Sequence, residues 1–167
     1  MRRGVGSAGV ARPLLSSQGM HVHAQASLSS SPRPPGRRLL VVVADDDGLL
    51  RRVVANVLRA EGHEVEEVAD GEELFARVVR SFAVGERALP AIDLIVSDVC
   101  MPRSSGLDVL RKLRGARKQT PVVLMSGTAD APLRASARAL DAGLLEKPFT
   151  VDALRVTMGE ALGTARR

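Results

Sequence analysis

Four apolar runs in this chain each deliver groups that can bind, neutralise or attack phosphate. AIDLIVSD ends in Asp98, LLVVVADDD in Asp45, Asp46 and Asp47, PVVLMS in Ser126, and GLLEKPF carries Lys147. Carboxylates gathered within a few ångströms repel unless they are protonated or bridged by a cation. Mg²⁺ answers that need: it prefers oxygen ligands and binds through one or two carboxylates together with waters and phosphate. One carboxylate could instead be a nucleophile, attacking phosphorus to form an acyl phosphate. A lysine and a hydroxyl would then neutralise and bind the transferring group. Taken singly, each residue has a plainer reading. Aspartates after strands are often helix caps or turn residues, which covers Asp47 and Asp108. Lys147 alone would be a solvated surface lysine, and Ser126-Gly127 a plain turn. The argument rests on four groups standing at four strand ends in order.

Rigid elements must bring these groups together. From residue 39 the pattern alternates strand and helix five times. Strands are expected at 39–44, around Val65 and Val68, at 92–97, at 121–126 and at 143–146. The first helix, 48–60, has a stripe of Leu50, Val53, Val54, Val57 and Leu58 and ends at Gly62. The second, 72–84, is opened by Gly71 and is expected to turn Leu74, Phe75, Val78 and Val79 inward. Helices at 106–114 (Leu107, Leu110, Leu113), 131–141 and 151–162 complete the series. Five such units predict a parallel sheet covered by helices on both faces. In open α/β sheets the site lies at the carboxyl ends of the strands, where strand order reverses. The flavodoxin-like, doubly wound order 2-1-3-4-5 sets strands 1 and 3 side by side, and so Asp45 and Asp46 beside Asp98.

Composition narrows the function. The net charge of +5 is unevenly spread: Arg2, Arg3, Arg12, Arg33, Arg37 and Arg38 fall in residues 1–38, which hold no acid. The other 129 residues carry 18 basic and 19 acidic side chains, so the folded part has no basic excess to attract nucleic acid. Its three aromatic residues are all Phe, too few for a base-stacking surface. Cys100 is the only cysteine, which fits a reducing, cytoplasmic setting. Apolar runs of about six residues are far too short to cross a bilayer. Residues 1–37 form a basic Ser/Pro/Arg-rich tail that cannot bury enough apolar surface to order itself. Its composition also suits a transit peptide, although a plain extension, with initiation at Met20 as a variant, is the preferred reading. The domain spans 38–163, and 164–167 is a short C-terminal tail.

These segments resemble the response-regulator receiver domain of two-component signalling, over roughly residues 38–163. VVVADDDGLLRR is similar to that family's acidic-pair segment and SDVCMPRSSG to its phosphoacceptor loop. VVLMSG matches its hydroxyl strand and EKPF its lysine-proline turn. The resemblance implies that Asp98 is the phosphoacceptor and that Asp45, Asp46, Asp98 and the backbone carbonyl of Cys100 hold Mg²⁺. It makes Ser126, with Gly127, the switch turn and pairs Lys147 with the phosphoryl group. It also implies a cis Lys147–Pro148 bond. The chain departs from the family at several positions. Leu144 stands where an aromatic switch residue is usual, Gly127 where alanine is, Gly48 where proline is, and Ser105 where aspartate is common. The 85–91 loop reads as an insertion.

The implied activity is a phosphorylation-dependent switch, not an enzyme beyond self-catalysed phosphorylation and dephosphorylation. It would be charged by a histidine kinase or phosphotransfer protein and would signal to an unknown protein target. No output module follows residue 162, so a stand-alone receiver is expected. Two rivals remain. One is a constitutive receiver-like interaction module. The other is an aspartate-nucleophile phosphatase of the haloacid dehalogenase type, suggested by Asp45-x-Asp47-Gly48-x-Leu50. That fold needs a further acidic pair after the lysine strand, where only Asp152 and Glu160 occur.

Overall fold

A computed structural model of the chain describes residues 37–84 and 88–164. The disordered-tail expectation for residues 1–36, part of the 85–91 loop and the final three residues lie outside the described residues. Five strands and five helices alternate as β1 (Leu40–Ala44), α1 (Gly48–Ala60), β2 (Glu64–Val68), α2 (Gly71–Ser81) and β3 (Leu94–Asp98), then α3 (Gly106–Gly115), β4 (Val122–Ser126), α4 (Ala131–Ala139), β5 (Gly143–Glu146) and α5 (Val151–Thr164). All neighbouring strands are parallel, in the order β2-β1-β3-β4-β5. This is the doubly wound, flavodoxin-like arrangement expected from the sequence.

The period of two along each strand divides the core between the sheet faces. Val41, Val43, Leu94, Val96, Val123 and Met125 point to one face, where Val54 and Leu58 of α1 and Leu154 and Met158 of α5 cover them. Val42, Ala44, Ile95, Val122 and Leu124 point to the other, under Leu74, Val78, Val109, Leu110, Leu113 and Ala137 of α2, α3 and α4. The central strands are buried on both sides, which is why they read as unbroken apolar runs. Each fully buried Leu or Ile contributes about 1.5–3 kcal/mol relative to an exposed one.

Local chemistry sets the helix starts. Asp47 caps α1 by accepting the Leu49 and Leu50 amides, and Asp70 caps α2 through those of Glu72 and Glu73. Ser105 caps α3 through the Asp108 amide while Asp108 accepts the Ser105 hydroxyl. Gly62, at φ +90°, lies just beyond α1 in a conformation that glycine adopts without strain.

Several boundaries and orientations differ from expectation. β3 begins at Leu94 and includes Asp98; Ile92 is buried but precedes the strand. α2 ends at Ser81, three residues early. Phe75 and Val79 do not face inward, and Val53 of α1 is exposed as well. Leu74 and Val78 carry the contact of α2 with the core. The neighbouring apolar positions are left outside.

Candidate functional site

The carboxyl ends of β1, β3, β4 and β5 meet at one edge of the sheet. Ala44 pairs with Ser97 in the β1–β3 register, so the residue after each strand partner, Asp45 or Asp98, falls at the same level. Asp98 in turn pairs with Met125, and Ser126 with Glu146, which sets Lys147 one step beyond. The Lys147 amide donates to the Ser126 carbonyl at 2.7 Å and locks these two ends together.

Asp45 and Asp98 are buried and Asp46 is exposed at the rim. One carboxylate oxygen from each of Asp45, Asp46 and Asp98 can be chosen so that all lie within 4.8 Å of one another. Lys147 Nζ donates to Asp45 Oδ2 at 2.8 Å and to Asp98 Oδ1 at 2.6 Å. The remaining oxygens also hold donors: Asp45 Oδ1 accepts the Asp47 amide at 2.9 Å, and Asp98 Oδ2 the Cys100 amide at 2.7 Å. Two buried carboxylates are tolerated here because one ammonium is shared between them and each is hydrogen-bonded.

Burial lifts the Asp98 carboxyl above the usual carboxylate range, aided by the negative charge of Asp45; the Lys147 bond and charge and the Cys100 amide oppose this without cancelling it. For Lys147, burial alone would depress the ammonium, but the hydrogen bonds and charges of Asp45 and Asp98 together outweigh it and raise its pKa. Dehydration thus prevails at Asp98, and pairing with the two carboxylates prevails at Lys147. Asp47 is held below the ordinary range by the Leu50 and Leu49 amides, and it serves as the cap of α1.

Ser126 stands at its strand end, but its hydroxyl is turned into its own loop. It donates to the Thr128 carbonyl at 2.7 Å and accepts the Thr128 amide at 3.2 Å. Gly127 is exposed, and a Cβ there would meet nothing within 4 Å. The Cys100 side chain is exposed. The Lys147–Pro148 bond is cis. Leu144 is half-buried against the α2–α3–α4 side of the core.

Three supports were not apparent from the sequence. Arg51 donates to the Asp45 carbonyl and leans on Glu67, bracing the acidic turn from α1. Arg103, at φ 66°, pairs with Asp70 and Glu72 and so ties the loop after Asp98 to the start of α2. Gly106 lies against the end of β3, where a Cβ would overlap the Asp98 carbonyl and the Ser97 hydroxyl. The glycine in PRSSG was the one available signal for that contact. The arginines carry none, because their partners lie on other elements.

A doubly wound sheet with an acidic cluster and a lysine at its carboxyl edge is the architecture of a signal-receiving domain. The sequence profile of the response regulator receiver domain matches residues 41–158, and the chain belongs to that family. Response regulator protein PmrA of Pseudomonas aeruginosa is 40% identical over 103 residues, 59% of this chain and 41% of that protein. Transcriptional regulatory protein PdtaR of Mycobacterium tuberculosis is 35% identical over 110 residues, 64% of this chain and 48% of that protein. The chain thus spans less than half the length of these curated relatives. Among solved structures, chemotaxis protein CheY4 of Vibrio cholerae aligns with a TM-score of 0.63 and 28% identity, covering 74% of this chain and 98% of that one. A CheY-like receiver domain from Methanospirillum hungatei aligns at 0.64 and 22% identity, covering 77% of this chain and 97% of that one; this likeness speaks to the fold. No helix among the described residues is long and apolar enough to cross a membrane.

Proposed function

We propose that this chain is a phosphorylation-dependent switch in which Asp98 accepts a phosphoryl group from the phosphohistidine of a kinase or phosphotransfer protein. The observation that carries this reading is the grouping of the Asp45, Asp46 and Asp98 carboxylates, two of which share the Lys147 ammonium. Three acidic oxygen donors in one pocket suit a hard divalent cation. Asp45, Asp46 and Asp98, with the Cys100 carbonyl, are the groups that would hold Mg²⁺. When bound, that ion would neutralise charge on the phosphoryl oxygens and on the acids.

Asp98 acts as the nucleophile: its carboxylate oxygen forms the new O–P bond while the P–N bond to the donor imidazole breaks. The imidazole leaves with the electron pair and takes a proton. Lys147 already contacts Asp98 and can follow the transferred group as a counter-charge. Asp45 keeps Lys147 in place from its other side. The Ser126 hydroxyl reaches the new phosphoryl group only by giving up its Thr128 contacts. Charge at Asp98 is therefore coupled to the loop between β4 and α4, a local event that biases a two-state element. Leu144 and Pro148, on the adjoining α4–β5–α5 side, pass that movement on by packing, with no aromatic ring to rotate.

The phosphatase alternative lacks support at its metal site. Asp152, one of the two acids after Lys147, is an exposed residue paired with Arg155 on α5. Labelling with acetyl phosphate, Mg²⁺ and a phosphoprotein gel tests the proposal. One acid-stable, base-labile label per chain is expected, absent in Asp98→Asn. Wild-type labelling in that variant, or sustained turnover of p-nitrophenyl phosphate, would overturn the assignment. Absence of both labelling and Mg²⁺-dependent beryllofluoride binding would favour a constitutive interaction module that no kinase charges.

A further inference from the structure

Two of the three aromatic rings of the chain lie on the outer side of one helix. Phe75, Val79 and Phe82 recur at i, i+4 and i+7, a single stripe that follows α2 to its C-cap, and they are 36%, 50% and 38% exposed. Leu74 and Val78 already close the core beneath them, so the outer stripe is not needed for folding. Lys112 of α3 holds its ammonium 4.7 Å from the centre of the Phe75 ring, and Lys118, just past α3, lies 4.4 Å from that of Phe82. Among the described residues neither lysine takes part in a salt bridge. The acids in the first turns of α2 and α3 are engaged elsewhere: Glu72 pairs with Arg103, Glu73 accepts the Ala69 amide, and Asp108 pairs with Arg111. The result is an apolar strip with a cation over each end, about 10 Å apart by helical rise.

We propose that this α2–α3 face docks an acidic amphipathic helix of a protein partner. Apolar side chains at i, i+4 and i+7 of that helix lie along Phe75, Val79 and Phe82. Carboxylates two helical turns apart reach Lys112 and Lys118, whose ammonium groups the rings hold in position. Charge weighs against a second copy of this chain, because two-fold pairing would bring the lysines of both copies together.

The test titrates the full chain into a fluorescein-labelled synthetic helix with Leu at i, i+4 and i+7 and Glu at the flanking positions, read by anisotropy. Saturable binding is expected, and Val79→Asp should weaken it about tenfold. Lys112→Glu and Lys118→Glu should each weaken it and flatten its dependence on salt. Leu49→Asp, an exposed change on α1 at the opposite face of the sheet, should leave it unchanged. Circular dichroism confirms that the variants fold. The proposal is overturned by absence of saturation, by equal binding of a Lys-for-Glu peptide, or by indifference to Val79→Asp. A dimer in sedimentation that Val79→Asp abolishes, or co-sedimentation with phosphatidylserine vesicles, also overturns it.

Discussion

Lys147 Nζ donates to Asp98 Oδ1 at 2.6 Å across 49 positions of chain. The same ammonium reaches Asp45 Oδ2, 102 positions away, so a single cation stands between two buried carboxylates. This bridge offsets the repulsion between the two buried carboxylates.

Replacing Lys147 with Met should therefore destabilise the metal-free protein by about 2 kcal/mol or more, because two buried carboxylates lose their shared partner. Urea unfolding in EDTA measures this. Mg²⁺ should bind the variant more tightly, since no ammonium competes for the acids. An unchanged unfolding midpoint would show that the bridge contributes nothing.

The raised Asp98 pKa sets a pH dependence of definite sign. Its ordinary value is 3.8, and burial lifts it in the folded state. The native protein thus holds this proton more tightly than the unfolded chain. Its contribution to stability is full below 3.8 and is lost as pH rises through the folded value. Asp98→Asn removes that loss. In EDTA the variant should gain on the wild type as pH climbs through this interval and keep the gain above it. A difference between the two melting curves that ignores pH would contradict burial as the cause.

Mg²⁺ at about a hundred times its Kd should add ~2.7 kcal/mol to wild-type stability by linkage. Asp46→Asn should reduce this increment while sparing the metal-free protein, because Asp46 is exposed. Asp45→Asn should reduce both, since Asp45 is buried and holds Lys147 and the Asp47 amide. Calorimetric scans with and without Mg²⁺ distinguish the two; equal losses in EDTA would refute the division of roles.

Two glycine-to-alanine changes should part company. Gly106→Ala drives a methyl group into the Asp98 carbonyl and should cost about 3 kcal/mol and impair labelling. Gly127→Ala meets nothing and should be neutral or stabilising by up to about 1 kcal/mol. Denaturant midpoints report both, and a tolerated Gly106→Ala would mean that β3 and α3 can separate cheaply.

The alternation of strand and helix was readable because each side chain's direction follows from its own backbone: a period of two on strands, 3.6 on helices. Unbroken apolar runs marked β1, β3 and β4 as doubly buried. With the strand order they set Asp45, Asp98, Ser126 and Lys147 at one edge. β3 nevertheless runs on to Asp98, because Val99 donates to the Met125 carbonyl and extends the pairing by one residue. Such a bond belongs to two strands and leaves no mark on either alone.

By itself the sequence determined the five-unit fold, the sheet edge that carries the chemistry and the identity of the groups gathered there. Tertiary structure alone decided how those groups are used and which apolar residues stay outside. It chose Leu74 and Val78 over Phe75 and Val79, because a helix on a sheet buries only the stripe its neighbours leave room for. It turned the Ser126 hydroxyl toward Thr128, shared Lys147 between two acids, and braced the acidic turn with Arg51. Each outcome depends on distances between residues remote in the chain, and those distances exist only once the sheet has closed.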